Sequence, residues 1–366
     1  MLLAADRAAE GRRFDKNVAA FNFRKESGIF QLQRELQSKT YAPGPYTTFY
    51  VYDPKQRLIS AAPFRDRVVH HALCNVIEPV FEKTFIHDSY ANRLGKGTHL
   101  AIERFQHFAR RYRYVLKCDI RKFFPSIDHE ILKRELRWKI ACPDTLWLID
   151  RIIDASNPQE PHIVWFPGDD LLTPAERRRG LPIGNLTSQF WANVYLNRFD
   201  HFVKETLRAT GYIRYVDDFV LFSDSPAQLM AWKEAIAAYL SGLRLLLHPK
   251  KCHIHRCERG VPFLGFRVWP YYRVVKKENM RRYRRYLTGK TAAVLKRRMH
   301  PDTLEAGLNS WLGHARFGQC MRLVYNVYWG LNGGGIPVFV HPRGSWRVLL
   351  PWRGRATRPT NLSSDE

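Results

Sequence analysis

The sequence lacks any long apolar run and is poor in cysteine. No stretch of about 18 apolar residues occurs, and the early run Met1–Ala5 is too short for a signal peptide, so a secreted or membrane-spanning chain is not expected. The six cysteines follow no regular spacing, which is typical of free thiols in a reducing compartment. We therefore expect a cytoplasmic protein that uses neither disulfides nor a membrane.

Acidic residues are also scarce, and this leaves a large excess of positive charge. Asp and Glu number 34 against 59 Lys and Arg, which gives a formal net charge of +25 over 366 residues. Hydrophobic residues still make up 45% of the chain, so a sizeable core can form and global disorder is not expected. Such an excess on a folded chain indicates a polyanionic partner, and nucleic acid is the first candidate.

Strand and helix patterns alternate in the middle of the chain, and no internal repeat is present. Strands are predicted at two places between 48 and 59, over 114–120, as a hairpin over 213–222, near 243–247 and over 263–268. Helices are predicted over 4–38, 68–85, 131–140, 187–206, 227–240, 280–299 and 304–328. This order predicts an α+β core with helices at both ends.

Three aspartates stand where apolar strands end: Asp119, Asp217 and Asp218. A hairpin tip beside a neighbouring strand end would bring them together although they are far apart in sequence. Clustered carboxylates suit Mg²⁺, and two such ions ~4 Å apart can stabilise phosphoryl transfer. Taken singly, each aspartate could equally be an exposed turn or a helix cap. Because all three are flanked by apolar strand residues in a basic chain, we predict a two-metal site.

A cysteine- and histidine-rich segment, Cys252-His-Ile-His-Arg-Cys257, offers a second possible metal site. Alternate residues of a strand face opposite sides, so Cys252 would point away from the other candidate ligands. No second ligand pair follows at the spacing of a zinc finger. A strand followed by a turn is therefore preferred to a zinc site.

Five sequence blocks occur in an order that resembles reverse transcriptases. They are Asp119-Ile-Arg-Lys-Phe-Phe124, Gly180-Leu-Pro-Ile-Gly-Asn-Leu-Thr-Ser-Gln189, Tyr215-Val-Asp-Asp218, His248-Pro-Lys-Lys251 and Phe263-Leu-Gly-Phe266. The resemblance covers roughly residues 45–270. It implies a right-hand polymerase fold, of α+β class, that copies RNA into cDNA with two Mg²⁺ ions and dNTPs.

The right-hand fold implies a division of the chain into four parts. They are an N-terminal extension and fingers over 1–110, a palm over 111–275 with a fingers insertion near 145–185, a helical thumb over 276–330, and a basic Pro/Gly-rich tail over 331–366.

A closer resemblance is to the reverse transcriptases of diversity-generating retroelements. The segments Pro63–Leu73, Ser89–His99, Phe123–Asp128 and Ser310–His314 look like that group. So do Ile183, where most reverse transcriptases carry Gln, and Gln189, where they carry Pro. The resemblance implies error-prone copying at template adenines, with a retroelement template RNA, the RNA/cDNA duplex and a small accessory protein as partners. A group II intron-like or retron reverse transcriptase, or a catalytically idle RNA-binding palm protein, remains the alternative.

The same resemblance implies roles for individual catalytic residues. Asp119 and Asp217 would bind both metals, with the carbonyl of Ile120 as a further ligand and Asp218 as nearby charge. Lys251 would protonate the pyrophosphate leaving group, and its neighbour Lys250 is the competing candidate.

For the substrates, the resemblance implies three groups of contacts. The dNTP would be bound by Lys55, Arg57, Arg65, Phe124, Ile183 and Gln189, with the cations on the triphosphate and the ring of Phe124 excluding a 2′-hydroxyl. The primer grip would be Phe263, Leu264 and Gly265. The basic helix that follows would hold the nucleic acid through Arg281, Arg282, Arg284 and Arg285, although a merely solvated helix face is the alternative.

Overall fold

A computed structural model gives the architecture of the chain. It describes residues 1–52, 56–157, 159 and 164–320, and the backbone of 338–340 and 346–348. The chain divides into two compact units, one over Met1–Arg259 and one that begins at Gly260. Within the described residues, no helix has both the length and the apolar character needed to cross a membrane.

Helices are the commonest secondary structure of the first unit. They are α1 (Leu2–Ala9), α2 (Lys16–Phe23), α3 (Lys25–Gln37), α4 (Phe64–Glu82), α5 (Thr98–Ala109), α6 (Phe123–Ser126), α7 (His129–Arg137), α8 (Pro143–Asp154), α9 (Thr173–Glu176), α10 (Leu186–Tyr195), α11 (Asn197–His201) and α12 (Pro226–Gly242). A π-helical turn, Phe202–Thr206, follows α11. The predicted helix over 4–38 is thus three helices, and that over 187–206 consists of α10, α11 and the π turn.

Local sequence signals set several of these helix ends. The side chain of Asp128 accepts a hydrogen bond from the backbone N–H of Ile131 at 3.0 Å and so caps α7. Ser225 caps α12 in the same way, and Pro226 occupies the first turn, where a missing N–H has no consequence.

An antiparallel sheet of four strands forms the centre of the first unit. Its strands are β3 (Tyr114–Asp119), β4 (Tyr212–Tyr215), β5 (Asp218–Ser223) and β6 (His253–Arg256), in the order β4-β5-β3-β6. β3 and β5 occupy the centre and are largely buried, which explains their nearly continuous apolar sequences. The predicted strand over 114–120 and the predicted hairpin over 213–222 are confirmed.

A separate two-stranded hairpin precedes α4. β1 (Thr47–Val51) pairs with β2 (Arg57–Ala61), as predicted. β1 is exposed along its whole length, whereas Ser60 of β2 is buried and donates its backbone N–H to the carbonyl of Ile183 at 3.0 Å. This bond attaches the hairpin to the Gly180–Gln189 block.

The prediction of strands near 243–247 was wrong. Within the described residues this segment makes one isolated bridge, between Leu247 and Ile120, and no named strand. Arg244 there has a φ of +55°, which ends α12 in a left-handed turn and interrupts the extended backbone that a strand needs.

The second unit contains a small sheet and two helices. β7 (Val261–Phe263), β8 (Phe266–Val268) and β9 (Arg273–Val275) pair in sequence order and are followed by α13 (Lys277–Leu295) and α14 (Pro301–Phe317). The ring centroids of Phe266 and His314 lie 4.4 Å apart, so α14 packs on β8. Tyr283 stacks on Trp311 with a centroid distance of 4.4 Å, so α13 packs on α14.

The segment 263–268, predicted as a single strand, contains the end of β7 and the whole of β8. Leu264 and Gly265 both have positive φ, +42° and +89°, and turn the chain so that Phe263 pairs with Phe266 in a hairpin. Residues 321–337 of the predicted last helix and tail lie outside the described residues. Beyond them, β10 (Val338–Val340) and β11 (Trp346–Val348) form an antiparallel pair.

Candidate active site

The three predicted catalytic aspartates meet at one edge of the central sheet. Asp119, the last residue of β3, pairs with Asp218, the first residue of β5. The backbone N–H of Ile120 donates to the carbonyl of Asp217 at 3.1 Å, which joins the hairpin turn to the end of β3. The antiparallel pairing of β3 and β5 therefore brings the three carboxylates together, although they are far apart in sequence.

These carboxylates carry more negative charge than their surroundings compensate. Burial, and after it the neighbouring charges of Asp218 and Asp119, raise the pKa of Asp217 from 3.8 to about 6, while Lys251 opposes the shift. Oδ1 of Asp218 is buried and receives no hydrogen bond in the described part of the chain, although Nζ of Lys117 lies 3.3 Å away. The cluster would be stabilised by a bound cation.

The ammonium group of Lys251 partly supplies that charge. Its Nζ donates to both carboxylate oxygens of Asp119, each at 2.7 Å. The adjacent Lys250 is exposed, and its backbone N–H donates to Nδ1 of His248. Of the two lysines that the sequence left as candidates, Lys251 is therefore the one at the carboxylates.

The donor set fits hard divalent cations. In the described part of the chain no three His, Cys, Asp or Glu side chains already form a metal-binding group. The oxygen-only ligands, the orphaned Oδ1 of Asp218 and the raised pKa of Asp217 all suit Mg²⁺. Asp119, Asp217 and the carbonyl of Ile120 would hold such ions once Lys251 releases Asp119.

A cleft of about 400 Å³ opens over the carboxylates. It brings together seven of the residues predicted from the sequence, which are Arg57, Asp119, Ile120, Phe124, Ile183, Asp217 and Lys251. The remaining lining residues are Gln56, Leu58, Arg121, Lys122, Phe123, Pro125, Gln159 and His248. Cations, an aromatic ring and carboxylates thus face a single space.

Backbone hydrogen bonds hold Phe124 and Ile183 at this cleft. The N–H of Leu181 donates to the carbonyl of Phe124 at 2.9 Å, and the carbonyl of Ile183 accepts from Ser60 at 3.0 Å. Next to Ile183 in the same block, Gly184 adopts a φ of +119°, which a side chain would strain.

Three predicted dNTP-binding residues do not line the cleft. Arg65 forms an ion pair with Glu35, and its guanidinium lies over the ring of Tyr41. Gln189 is exposed on α10. Lys55 lies outside the described residues, so Arg57 is the predicted triphosphate-binding cation that the described cleft contains.

The predicted primer grip and basic helix belong to the second unit. Phe263 is buried at the end of β7, and the carbonyl of Gly265 accepts from the backbone of Lys276 and from Nδ2 of Asn279, both at 3.1 Å. On α13, the predicted arginines are exposed or half-buried: Arg281, Arg282, Arg284 and Arg285.

Sequence reasoning missed several lining residues that lie inside its own motifs. Arg121 and Lys122 follow Asp119-Ile120 directly, and Lys122 faces the cleft because its φ of +47° turns the chain into α6. The backbone N–H of His248 donates to the carbonyl of Asp119 at 2.7 Å. Their proximity in sequence to the predicted aspartate and lysine was the available signal.

A family model described as reverse transcriptase (RNA-dependent DNA polymerase) matches residues 52–268, more than half of the chain. The chain belongs to this family. It is a reverse transcriptase by class, an RNA-directed DNA polymerase and nucleotidyltransferase. Membership implies template RNA, dNTPs and a divalent metal.

The most similar curated proteins include bacterial and intron-encoded ones. Protein YkfC of Escherichia coli is 26% identical over 319 residues, which is 75% of this chain and 81% of YkfC. The group II intron-encoded protein LtrA of Lactococcus lactis is 25% identical over 183 residues, 49% of this chain but 28% of LtrA. Among solved structures, apo telomerase from Candida tropicalis is similar with a TM-score of 0.47, at 11% identity over 80% of this chain and 59% of that one.

Proposed function

We propose that this reverse transcriptase copies a retroelement template RNA into cDNA with frequent errors at template adenines, as a polymerase of the diversity-generating type. The observation that carries the proposal is the presence of Ile183 in the cleft that also holds Asp119, Asp217 and Phe124. An aliphatic side chain offers no hydrogen bond to a nascent base pair. A hydrogen bond contributes ~1 kcal/mol, a several-fold effect on discrimination between competing nucleotides.

The residues of the cleft suit nucleotidyl transfer. Two Mg²⁺ ions, when bound by Asp119 and Asp217, would supply charge stabilisation to the attacking and leaving oxygens. Arg57 binds the triphosphate, and the ring of Phe124 packs under the sugar and excludes a 2′-hydroxyl. Lys251 leaves Asp119 and donates its proton to the departing pyrophosphate, since its ammonium group is already at the carboxylates.

The proposed partners follow from charge and from the family resemblance. The excess of 59 Lys and Arg over 34 Asp and Glu supports binding of the template RNA and of the RNA/cDNA duplex. The exposed arginines of α13, with the Phe263–Gly265 primer grip, are the proposed duplex contacts. A small accessory protein is proposed from the resemblance to diversity-generating enzymes alone.

A group II intron-type reverse transcriptase is the second candidate. The specific observation in its favour is the similarity to LtrA, whose name describes a group II intron-encoded protein. The two candidates share the same chemistry and differ in RNA partner and in accuracy.

The error spectrum of the cDNA separates these candidates. The purified chain copies a defined RNA that contains all four bases, and the cDNA is sequenced to give the error frequency at each template base. Errors concentrated at adenines support the diversifying function. A low and even error frequency favours the intron-type candidate, and the absence of any cDNA together with retained binding of the RNA would support an idle RNA-binding protein.

A further inference from the structure

An arginine and an aspartate are completely buried behind the catalytic turn. Arg214 of β4 and Asp200 of α11 each have 0% of their surface exposed. Nε of Arg214 donates to Oδ1 of Asp200 at 2.7 Å, and Nη2 donates to Oδ2 at 2.6 Å. Burial alone would lower the pKa of Arg214, but Asp200 raises it, so the guanidinium stays charged. Such a pair is a weak source of stability, since both ions lose their hydration.

The guanidinium has one nitrogen left, and it points to the turn. Nη1 of Arg214 donates to the backbone carbonyl of Val216 at 3.3 Å and to Oδ1 of Asn193 at 3.1 Å. Asn193 is itself fixed, because its Nδ2 donates to the carbonyl of Ala91 at 2.8 Å. Asp200 and Asn193 therefore set the orientation in which the guanidinium donates to the carbonyl of Val216.

The turn that it reaches is strained. Val216 has a φ of +56°, in the left-handed region that a β-branched residue disfavours strongly. It lies directly before Asp217, between Tyr215 and Asp218, which pair with each other across β4 and β5. A backbone conformation of this kind persists only where surrounding contacts hold it.

Hydrogen bonds along the outer edge of β4 hold the strand that leads into this turn. The N–H of Arg214 donates to the carbonyl of Asp88, and the N–H of Tyr90 donates to the carbonyl of Arg214, both at 3.0 Å. Oγ1 of Thr98 donates to the hydroxyl of Tyr215 at 3.1 Å. These contacts come from Asp88, Tyr90 and Thr98, none of which is among the residues that line the described cleft.

We propose that Arg214 is a positioning residue for catalysis: paired with Asp200, it holds the carbonyl of Val216 and so keeps the strained turn that aims Asp217 at the cleft. The proposal rests on the polymerase activity proposed above and does not depend on the accuracy of copying. Its distinctive consequence is that the catalytic effect of Arg214 depends on residue 216 being a valine. Glycine adopts a φ of +56° without strain and would need no such support.

The test is a double-mutant cycle with Val216→Gly. The first change is Arg214→Met combined with Asp200→Asn, which removes both buried charges together and keeps an acceptor for the hydroxyl of Tyr212. Single-nucleotide addition to a primer on an RNA template gives kcat and the KM for dNTP for the four proteins of the cycle, which are wild type, each change alone and the two changes combined. Thermal unfolding and RNA binding confirm that each variant is folded.

We expect the paired change to lower kcat about ten- to a hundredfold in the valine background, the rate equivalent of the strain at such a backbone position, with KM little altered. Combined with Val216→Gly, the same change should lower kcat much less. An equal loss in both backgrounds would show that Arg214 acts only through general stability and would overturn the proposal. Wild type that makes no cDNA would contradict the polymerase activity beneath it.

Two further variants keep the test decisive. If the paired change does not fold, Arg214→Lys retains the charge but loses the forked geometry, and the same dependence on Val216→Gly is expected. The control is Arg177→Met with Asp169→Asn, another buried arginine–aspartate pair, with side chains 6% and 5% exposed. Its effect on kcat should be the same with and without Val216→Gly, and a matching dependence there would also overturn the proposal.

Discussion

Replacing Asp217 with Asn should stabilise the protein at neutral and alkaline pH while removing a catalytic group. The raised pKa of Asp217, from 3.8 to about 6, means that the folded protein favours the protonated carboxyl. At 1.36 kcal/mol per pH unit, ionising this group costs the fold about 3 kcal/mol. The contribution of this one group is therefore fully present below about pH 4 and is lost as pH rises through 6. Asn is uncharged and avoids the loss.

Urea unfolding at pH 4 and pH 8, without divalent metal, measures this effect. We expect Asp217→Asn to exceed wild type by up to about 3 kcal/mol in free energy of unfolding at pH 8 and to match it near pH 4. Adding Mg²⁺ should stabilise wild type more than the variant, since a ligand that binds only the folded state adds to its stability.

The control is Asp6→Asn, at an aspartate whose side chain is 60% exposed and pairs with Lys25. Its removal should give no gain at pH 8, because an exposed carboxylate keeps its hydration. If Asp217→Asn is less stable than wild type at pH 8, or matches wild type at both pH values, the inference that burial and the neighbouring carboxylates raise the pKa of Asp217 is refuted.

Further predictions concern three other residues of the cleft. Lys251→Ala should lower kcat about a hundredfold or more through loss of the proton donor, whereas the matched Lys250→Ala, at an exposed neighbour, should leave kcat nearly unchanged in steady-state assays. Phe124→Ala should raise the ratio of rNTP to dNTP incorporation on one template, and an unchanged ratio would place the sugar gate elsewhere. Ile183→Gln should lower the error frequency several-fold, most clearly at template adenines, and equal spectra from two active enzymes would remove Ile183 from the fidelity argument.

The parts of the site that sequence could predict are those with a local signal. Asp119 ends an apolar strand, and Asp217 and Asp218 sit at the tip of an apolar hairpin, so strand periodicity was enough to predict their meeting. Phe124 and Ile183, which the family resemblance singled out, both line the cleft, and their contacts with the nucleotide stay a prediction.

The parts that sequence could not predict depend on tertiary partners. Arg65 has a side chain that suits phosphate binding, but in the folded chain it forms an ion pair with Glu35. Arg214 would be taken for a surface charge, and only the packing of α11 against β4 reveals its buried partner Asp200. The turn at Leu264-Gly265 was missed although Gly265 was an available signal, because the positive φ of Leu264, a non-glycine residue, is not marked in the sequence.

RNA-templated primer extension with Mg²⁺ tests the central claim most directly, with wild type and the double variant Asp217→Asn, Asp218→Asn compared on one labelled primer–template. We predict that wild type extends the primer and that the double variant gives no extension while its affinity for the RNA is retained, because the carboxylates hold the metals and the lysines and arginines bind the backbone. Extension by the double variant at the wild-type rate would contradict the assignment of the catalytic site.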